Sequence, residues 1–149
     1  MIIKDEHSYL IEQSKRIRNT LEIVEPEYLA EYLMEMVKSE ERELKSQTTR
    51  CLMHMLKCEY QTYKITPSWL NTIRDSSNII YDIISESKSL YNKYNEYFND
   101  CYKRAIQKVS TETGIIQSKF PKTCPWDKDD IYDENFIEDF IAQHPPVKP

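Results

Sequence analysis

Glycine occurs only once in the 149 residues of this chain, at Gly114. Average usage of about 7% would give roughly ten glycines in a chain of this length. Glycine supplies the positive φ angles of tight hairpin turns and bulges, so one glycine argues against a sandwich or barrel of many short strands. The glycine-rich phosphate loops of nucleotide-binding proteins are also excluded, because each of them needs at least two glycines.

Apolar residues instead recur at helical spacing along most of the chain. This pattern predicts an all-α fold, a single-domain helical bundle of about five main helices with an irregular C-terminal segment. We expect the domain to cover residues 1–142, and residues 143–149 to form an extended or disordered tail because they are rich in proline. The first helix is predicted to begin at a cap on Asp5 and to end near Leu21.

The second predicted helix begins at Pro26, a residue that the first helical position tolerates. No glycine or proline follows between Glu27 and Ile65. One straight helix of that span would be over about 55 Å long, whereas a compact domain of this size is about 30–40 Å across. We therefore expect the helix over residues 26–62 to bend or break near residues 38–41, where charges crowd. Its apolar face consists of Leu29, Tyr32, Leu33, Met36 and Val37.

Local signals mark the ends of the later helices. Thr66 followed by Pro67 predicts a helix start, and Ser87 is the predicted cap of the next helix. Gly114 stands where the long apolar stripe of that helix stops, so we expect it to end the helix in the left-handed conformation. A short helix is predicted over residues 134–142.

Charge and cysteine usage limit the classes of partner. The net charge of −5 and pI of about 5.3 disfavour nucleic acid as a partner, because nucleic-acid-binding proteins usually have a basic face. A protein with an acidic net charge can still have one basic face. No stretch approaches the roughly 20 apolar residues of a membrane span, and acidic residues appear before any signal peptide could form. We expect a cytoplasmic protein without membrane contact. Its four cysteines form no C-x-x-C pair, and Cys51 and Cys58, two helical turns apart on one face, are expected to be small core residues and not a disulfide.

The sequence offers poor metal ligands. Asp127, Asp129, Asp133 and Glu138 match positions 1, 3, 7 and 12 of a calcium loop, but Tyr132 replaces the glycine that such a loop requires. No H-E-x-x-H or E-x-x-H pattern accompanies the three histidines. We therefore predict neither a metal nor a cofactor.

The strongest candidate for chemistry is a polar stripe on the second helix. Its members recur at spacings of three and four, which places them on one helix face: Glu43, Gln47, Arg50, His54, Lys57 and Gln61. His54 has a cation one turn before it and another one turn after it, so its pKa should be lowered and it can serve as a general base. The alternative is a solvated stripe whose histidine is satisfied by a neighbouring helix.

Several spaced motifs carry a family resemblance over about residues 5–136. They are Glu41-Arg42-Glu43-Leu44-x-Ser46, Leu52-x-His54-x-Leu56-Lys57-x-x-Tyr60-Gln61, Ser68-Trp69-x-x-Thr72-Ile73, Glu112-Thr113-Gly114 and Phe120-Pro121-x-Thr123-Cys124-Pro125. Their order and spacing resemble a bacterial family known only as domain of unknown function twenty-nine. The resemblance implies an all-helical, single-domain bacterial protein with no established activity. One departure is Cys58, which stands where the family usually has tryptophan.

The same motifs supply the candidate binding residues, which are Glu43, Tyr60, Gln61, Ser68 and Trp69. Because residues 62–66 form a short connection, the two helices should pack as antiparallel neighbours and bring Trp69 near Lys57 and Gln61. The result would be either a binding pocket or a structural contact in which Trp69 packs on the lysine.

We expect a small cytoplasmic protein–protein interaction or regulatory module, with one half of a defence or toxin–antitoxin pair as a specific form. Its partner would be another protein or a second copy of the chain. The alternative is a helical enzyme that acts on nucleic acid or a nucleotide, with His54 as general base, Arg50 and Lys57 on the phosphate and Trp69 stacking. Whether the chain is an enzyme stays open at the level of sequence.

Overall fold

The chain is all-α in a computed structural model that describes residues 6–19 and 25–148. The helices are α1 (Glu6–Asn19), α2 (Pro26–Tyr60), α3 (Pro67–Glu86), α4 (Lys88–Thr113) and α5 (Glu134–Gln143). Single 3-10 turns cover Thr62–Lys64 and Gln117–Lys119, and the described residues contain no strand. The predicted all-α class with five main helices and an irregular C-terminal segment is confirmed. The predicted cap at Asp5 and helix end at Leu21 lie outside the described residues.

The second helix begins at Pro26 as predicted, but the break expected near residues 38–41 is wrong. α2 continues without interruption for 35 residues, which corresponds to a length of about 52 Å. The expectation assumed that the helix must fit inside one compact body. The chain instead divides into two compact units, Met1–Ser39 and Glu40–Pro149, and α2 belongs to both. Without glycine or proline near the boundary, nothing in the local sequence interrupts the helical hydrogen bonds.

Side-chain and glycine caps fix the ends of α3 and α4 as the sequence predicts. The Thr66 hydroxyl accepts a hydrogen bond from the Trp69 backbone N–H at 3.2 Å, and the Ser87 hydroxyl accepts one from Leu90 N–H at 3.2 Å. Gly114 adopts φ 78° and ψ 0°, and its N–H donates to the Ser110 carbonyl at 2.9 Å. These bonds satisfy backbone groups that a helix end leaves without partners.

The first unit is held by aromatic packing between α1 and the beginning of α2. The Tyr9 ring centroid lies 4.5 Å from that of Tyr28 and 4.9 Å from that of Tyr32. Tyr32 is buried, so the apolar face of α2 supplies one core residue to this unit.

The second unit contains the main hydrophobic core. α3 packs against both α4 and α5, and the core includes the buried side chains Leu44, Leu52, Met55, Leu56, Ile73, Ile80, Tyr94, Phe98, Val109 and Ile137. All four cysteines are free, and Cys51, Cys58 and Cys101 are buried while Cys124 is half-buried. The prediction that Cys51 and Cys58 are core residues is confirmed.

The irregular segment after α4 is tied to the bundle by tyrosine hydroxyls. Tyr94 donates to the Lys128 carbonyl at 2.5 Å, and Tyr102 donates to the Pro121 carbonyl at 2.6 Å. Near the C-terminal end, the Val147 N–H donates to the Ile65 carbonyl at 3.0 Å. The domain limits of 1–142 and 143–149 stay a prediction. Within the described ranges, no helix has both the length and the apolar character that crossing a membrane requires.

Candidate functional site

The polar stripe predicted on α2 lies along the boundary between the core and the solvent. Glu43 and Arg50 are exposed and His54 is half-buried, whereas Gln47, Lys57 and Gln61 are buried. The stripe is therefore not an open solvated face, because half of its members are covered by neighbouring elements.

Lys57 is the centre of a polar and aromatic cluster that joins three helices beside this stripe. Its Nζ donates to Glu112 Oε1 at 2.9 Å, and the same nitrogen lies 4.2 Å from the Trp69 ring centroid. The Lys57 side chain is 7% exposed, whereas that of Glu112 is 51% exposed. A buried ammonium is costly unless it is paired, and here a carboxylate and an aromatic face supply the pairing.

Local sequence explains how the partners of Lys57 are placed. Trp69 lies in the first turn of α3, which Thr66 and Pro67 start, and Glu112 lies in the last turn of α4, which Gly114 ends. Two helix termini therefore deliver one side chain each to the last turn of a third helix, α2. Trp69 therefore approaches Lys57 as expected, whereas its approach to Gln61 and the choice between a pocket and a structural contact stay predictions.

His54 lies one turn before Lys57, and its hydrogen bond indicates which ring nitrogen carries the proton. Its Nδ1 is 3.0 Å from the Arg50 carbonyl oxygen, which only accepts, so Nδ1 carries the proton. Burial lowers the pKa of His54, and the Lys57 and Arg50 charges lower it further against the opposing effects of the Arg50 hydrogen bond and Glu112. The predicted direction is confirmed, but its main cause is burial and not the flanking cations.

Of the remaining predicted site residues, Gln61 adjoins Lys57, because its backbone N–H donates to the Lys57 carbonyl at 2.8 Å. Glu43, Tyr60 and Ser68 make their described contacts elsewhere. Glu43 lies fourteen residues earlier on the same helix, about 21 Å away along its axis, and accepts a hydrogen bond from Gln47 at 2.9 Å. The Tyr60 ring packs on the Phe120 ring at 4.7 Å between centroids. The Ser68 carbonyl accepts from the Thr72 hydroxyl at 3.0 Å, which is a helix contact.

Glu112 is the cluster member that was not among the predicted site residues. It is 55 positions from Lys57 in the chain, so no spacing rule on one helix could connect the two. The available signal was its place in the Glu112-Thr113-Gly114 motif, directly before the only glycine.

The four carboxylates of the calcium-like pattern are committed to separate local contacts. Asp127 and Asp133 accept backbone N–H groups at 2.8 and 3.1 Å, and Asp129 accepts hydroxyls of two tyrosines at 3.0 and 2.8 Å. Glu138 pairs with Arg74 at 2.6 Å. Among the described residues there is no group of three or more side chains that could hold a metal ion.

The cluster of Lys57, Glu112 and Trp69 has the features of a clamp that joins α2, α3 and α4. The Lys57 ammonium is already paired with a carboxylate and an aromatic ring, so it is poorly placed to pair with a phosphate as well. In the neutral His54 ring only Nε2 is available to accept a proton, because Nδ1 donates to the Arg50 carbonyl. The catalytic roles of Arg50, His54 and Lys57 stay predictions.

Comparison with known proteins identifies the family of this chain. No curated protein and no solved structure matches this chain. The family model described as Domain of unknown function DUF29 matches residues 3–137, a range that includes every motif of the resemblance and each member of the Lys57 cluster. The chain therefore belongs to the DUF29 family.

Proposed function

We propose that this chain is a protein–protein interaction module. The main support for this proposal is one surface of the first unit. Four apolar side chains within five residues of α2 are exposed by 39% to 54%, namely Leu33, Met34, Met36 and Val37. Tyr32 in the same stretch is buried, so only part of this helix surface is covered. We call these four side chains the α2 apolar surface.

The composition of the α2 apolar surface favours a protein partner. Contiguous exposed apolar side chains are a mark of interaction sites. Met34 and Met36 contribute unbranched, polarisable side chains that adapt to the shape of a partner.

The charges beside this surface favour a basic partner. From Glu25 to Lys38 the chain has four glutamates and one basic residue, Lys38, and Glu27 and Glu31 among the glutamates are exposed. Electrostatic complementarity then selects an amphipathic helix with an apolar stripe and lysine or arginine on its flanks. A second copy of the chain is disfavoured, because it would bring the same glutamates close to one another.

The proposal is tested by calorimetric titration of the full chain with an 18-residue peptide of leucine and lysine at helical spacing. The double variant Leu33→Ser, Val37→Ser should weaken binding by at least about tenfold, because each buried aliphatic side chain contributes about 1.5 kcal/mol or more. Both side chains are half-exposed, so the variant should fold normally.

Ile116→Ser is the matched control, since Ile116 is 61% exposed and is not part of the α2 apolar surface. The affinity of this variant for the leucine–lysine peptide should not change. A leucine–glutamate peptide of the same spacing should bind weakly. An equal loss of peptide affinity in the control variant, or equal affinity for the two peptides, would reject the proposed surface. A dimer of the free chain that Leu33→Ser, Val37→Ser dissociates would show that the occupant is a second copy. Membership of a toxin–antitoxin pair and a cytoplasmic location stay predictions.

A further inference from the structure

Positive charge is concentrated in one segment of this acidic chain. Between Lys103 and Lys122 there are five basic residues and one acidic residue, whereas the whole chain has a net charge of −5. The acidic residue is Glu112, which already pairs with Lys57. The segment is therefore locally basic, and it belongs to the second unit, whereas the α2 apolar surface belongs to the first.

A cleft of about 480 Å³ lies within this segment, between α4 and the turn that follows it. Lys103 and Lys122 line the cleft together with Gln107, Gln117 and Ser118, and no aspartate or glutamate is among its described lining residues. Ile106, Phe120 and Pro121 are its apolar lining residues, of which Ile106 and Phe120 are buried and Pro121 is half-buried. The volume is within the range of about 300–1,000 Å³ that is typical of small-molecule sites.

The walls of the cleft are fixed by buried contacts. The Tyr102 hydroxyl donates to the Pro121 carbonyl at 2.6 Å, and the Phe120 N–H donates to the Gln117 carbonyl at 3.1 Å. The buried Phe120 ring packs on Tyr60 of α2. The cleft is thus formed before a ligand arrives, which reduces the entropic cost of binding.

We propose that this cleft binds a nucleoside monophosphate. Two ammonium groups, on Lys103 and Lys122, match a phosphate. Each glutamine carboxamide offers both a donor and an acceptor, the pairing that the edge of a nucleobase requires. The half-buried Pro121 ring, which also lines the cleft, suits the face of the base.

Calorimetric titration of the full chain with AMP tests this assignment, with adenosine and inorganic phosphate as separate arms. AMP should bind at least about tenfold more tightly than either, since each fragment makes only part of the contacts. Lys103→Gln and Lys122→Gln should each weaken AMP binding about tenfold, the loss of one charge-assisted hydrogen bond. Lys88→Gln is the matched control, because it removes the same charge from an exposed position at the start of α4, and its affinity should be unchanged.

A measurement on the unmodified chain makes the test independent of the variants' folding. The side-chain amide NMR signals of Gln107 and Gln117 should shift when AMP is added, while those of Gln13 in α1 should not. The proposal is overturned if inorganic phosphate binds as tightly as AMP, if Lys88→Gln weakens binding as much as Lys103→Gln, or if the signals of Gln107 and Gln117 do not respond.

Discussion

Lys57 shows how one side chain can connect distant parts of the sequence. Its stem is buried in the bundle, and its ammonium ends between the Glu112 carboxylate and the Trp69 ring. Because the pair is half-exposed at Glu112, solvent screens it, and its energetic value is smaller than that of a fully buried ion pair.

We predict an asymmetric effect of removing the two partners. Glu112→Ala should lower the free energy of unfolding by about 1–3 kcal/mol, because it leaves a buried ammonium without its acceptor. Lys57→Met should cost less than about 1 kcal/mol, since it removes the charge together with its desolvation cost and keeps apolar contact with Trp69. Urea denaturation of both variants measures the difference.

The double variant Lys57→Met, Glu112→Ala is the control for this pair. It should be no less stable than Glu112→Ala alone, because no unpaired charge remains. A larger loss for Lys57→Met than for Glu112→Ala would mean that packing of the lysine stem outweighs the ion pair.

His54 predicts a dependence of stability on pH. Its pKa in the folded chain is below the ordinary value of 6.5, chiefly because of burial. As the pH falls, the unfolded chain therefore takes up a proton at His54 before the folded chain does, and the free energy of unfolding decreases. His54→Gln should show a smaller decrease in melting temperature between about pH 7.5 and about pH 5.5 than the unmodified chain does. An identical decrease in both proteins would show that His54 does not contribute to this pH dependence.

At the scale of the element, Gly114 ends α4 through its backbone alone. Its φ of 78° disfavours other residues, and a Cβ added there would meet no atom within 4 Å. Gly114→Ala should therefore cost about 1–2 kcal/mol from backbone strain, measured by urea denaturation. Gly114→Asn should cost less, because asparagine tolerates the left-handed region. Equal stability of Gly114→Ala and the unmodified chain would show that the backbone tolerates alanine at this cap.

Helix ends were predictable because their signals are local. Thr66, Ser87 and Gly114 act on groups within four residues of themselves, so the sequence contains the whole interaction. The break in α2 was predicted wrongly because its basis was the expected size of the whole domain. Nothing within residues 38–41 encodes a break, and the two compact units show why none was needed.

The candidate site was predictable only in part for the same reason. The approach of Trp69 to Lys57 follows from a short connection between consecutive helices. The contact with Glu112 depends on how α4 packs, which no local pattern specifies. An amphipathic period also predicts an apolar face without showing what covers it, so the exposure of Leu33 and Val37 became visible only in the structure.

At the scale of the whole molecule, charge is distributed unevenly. The stretch from Glu25 to Lys38, which contains the α2 apolar surface, has four glutamates and one lysine, whereas the segment from Lys103 to Lys122 has five basic residues and one glutamate. The two surfaces therefore select ligands of opposite charge, and raised salt should weaken binding at both because exposed charges are screened.

The most direct test of the proposed function uses the methionines of the full chain. Of the five, Met34 and Met36 belong to the α2 apolar surface, whereas Met53 is partly buried against the core and Met55 is fully buried. With labelled methionine methyl groups, NMR titration with the leucine–lysine peptide should shift or broaden the signals of Met34 and Met36 and leave those of Met53 and Met55 unchanged. Unchanged signals of Met34 and Met36 at saturating peptide would contradict the account.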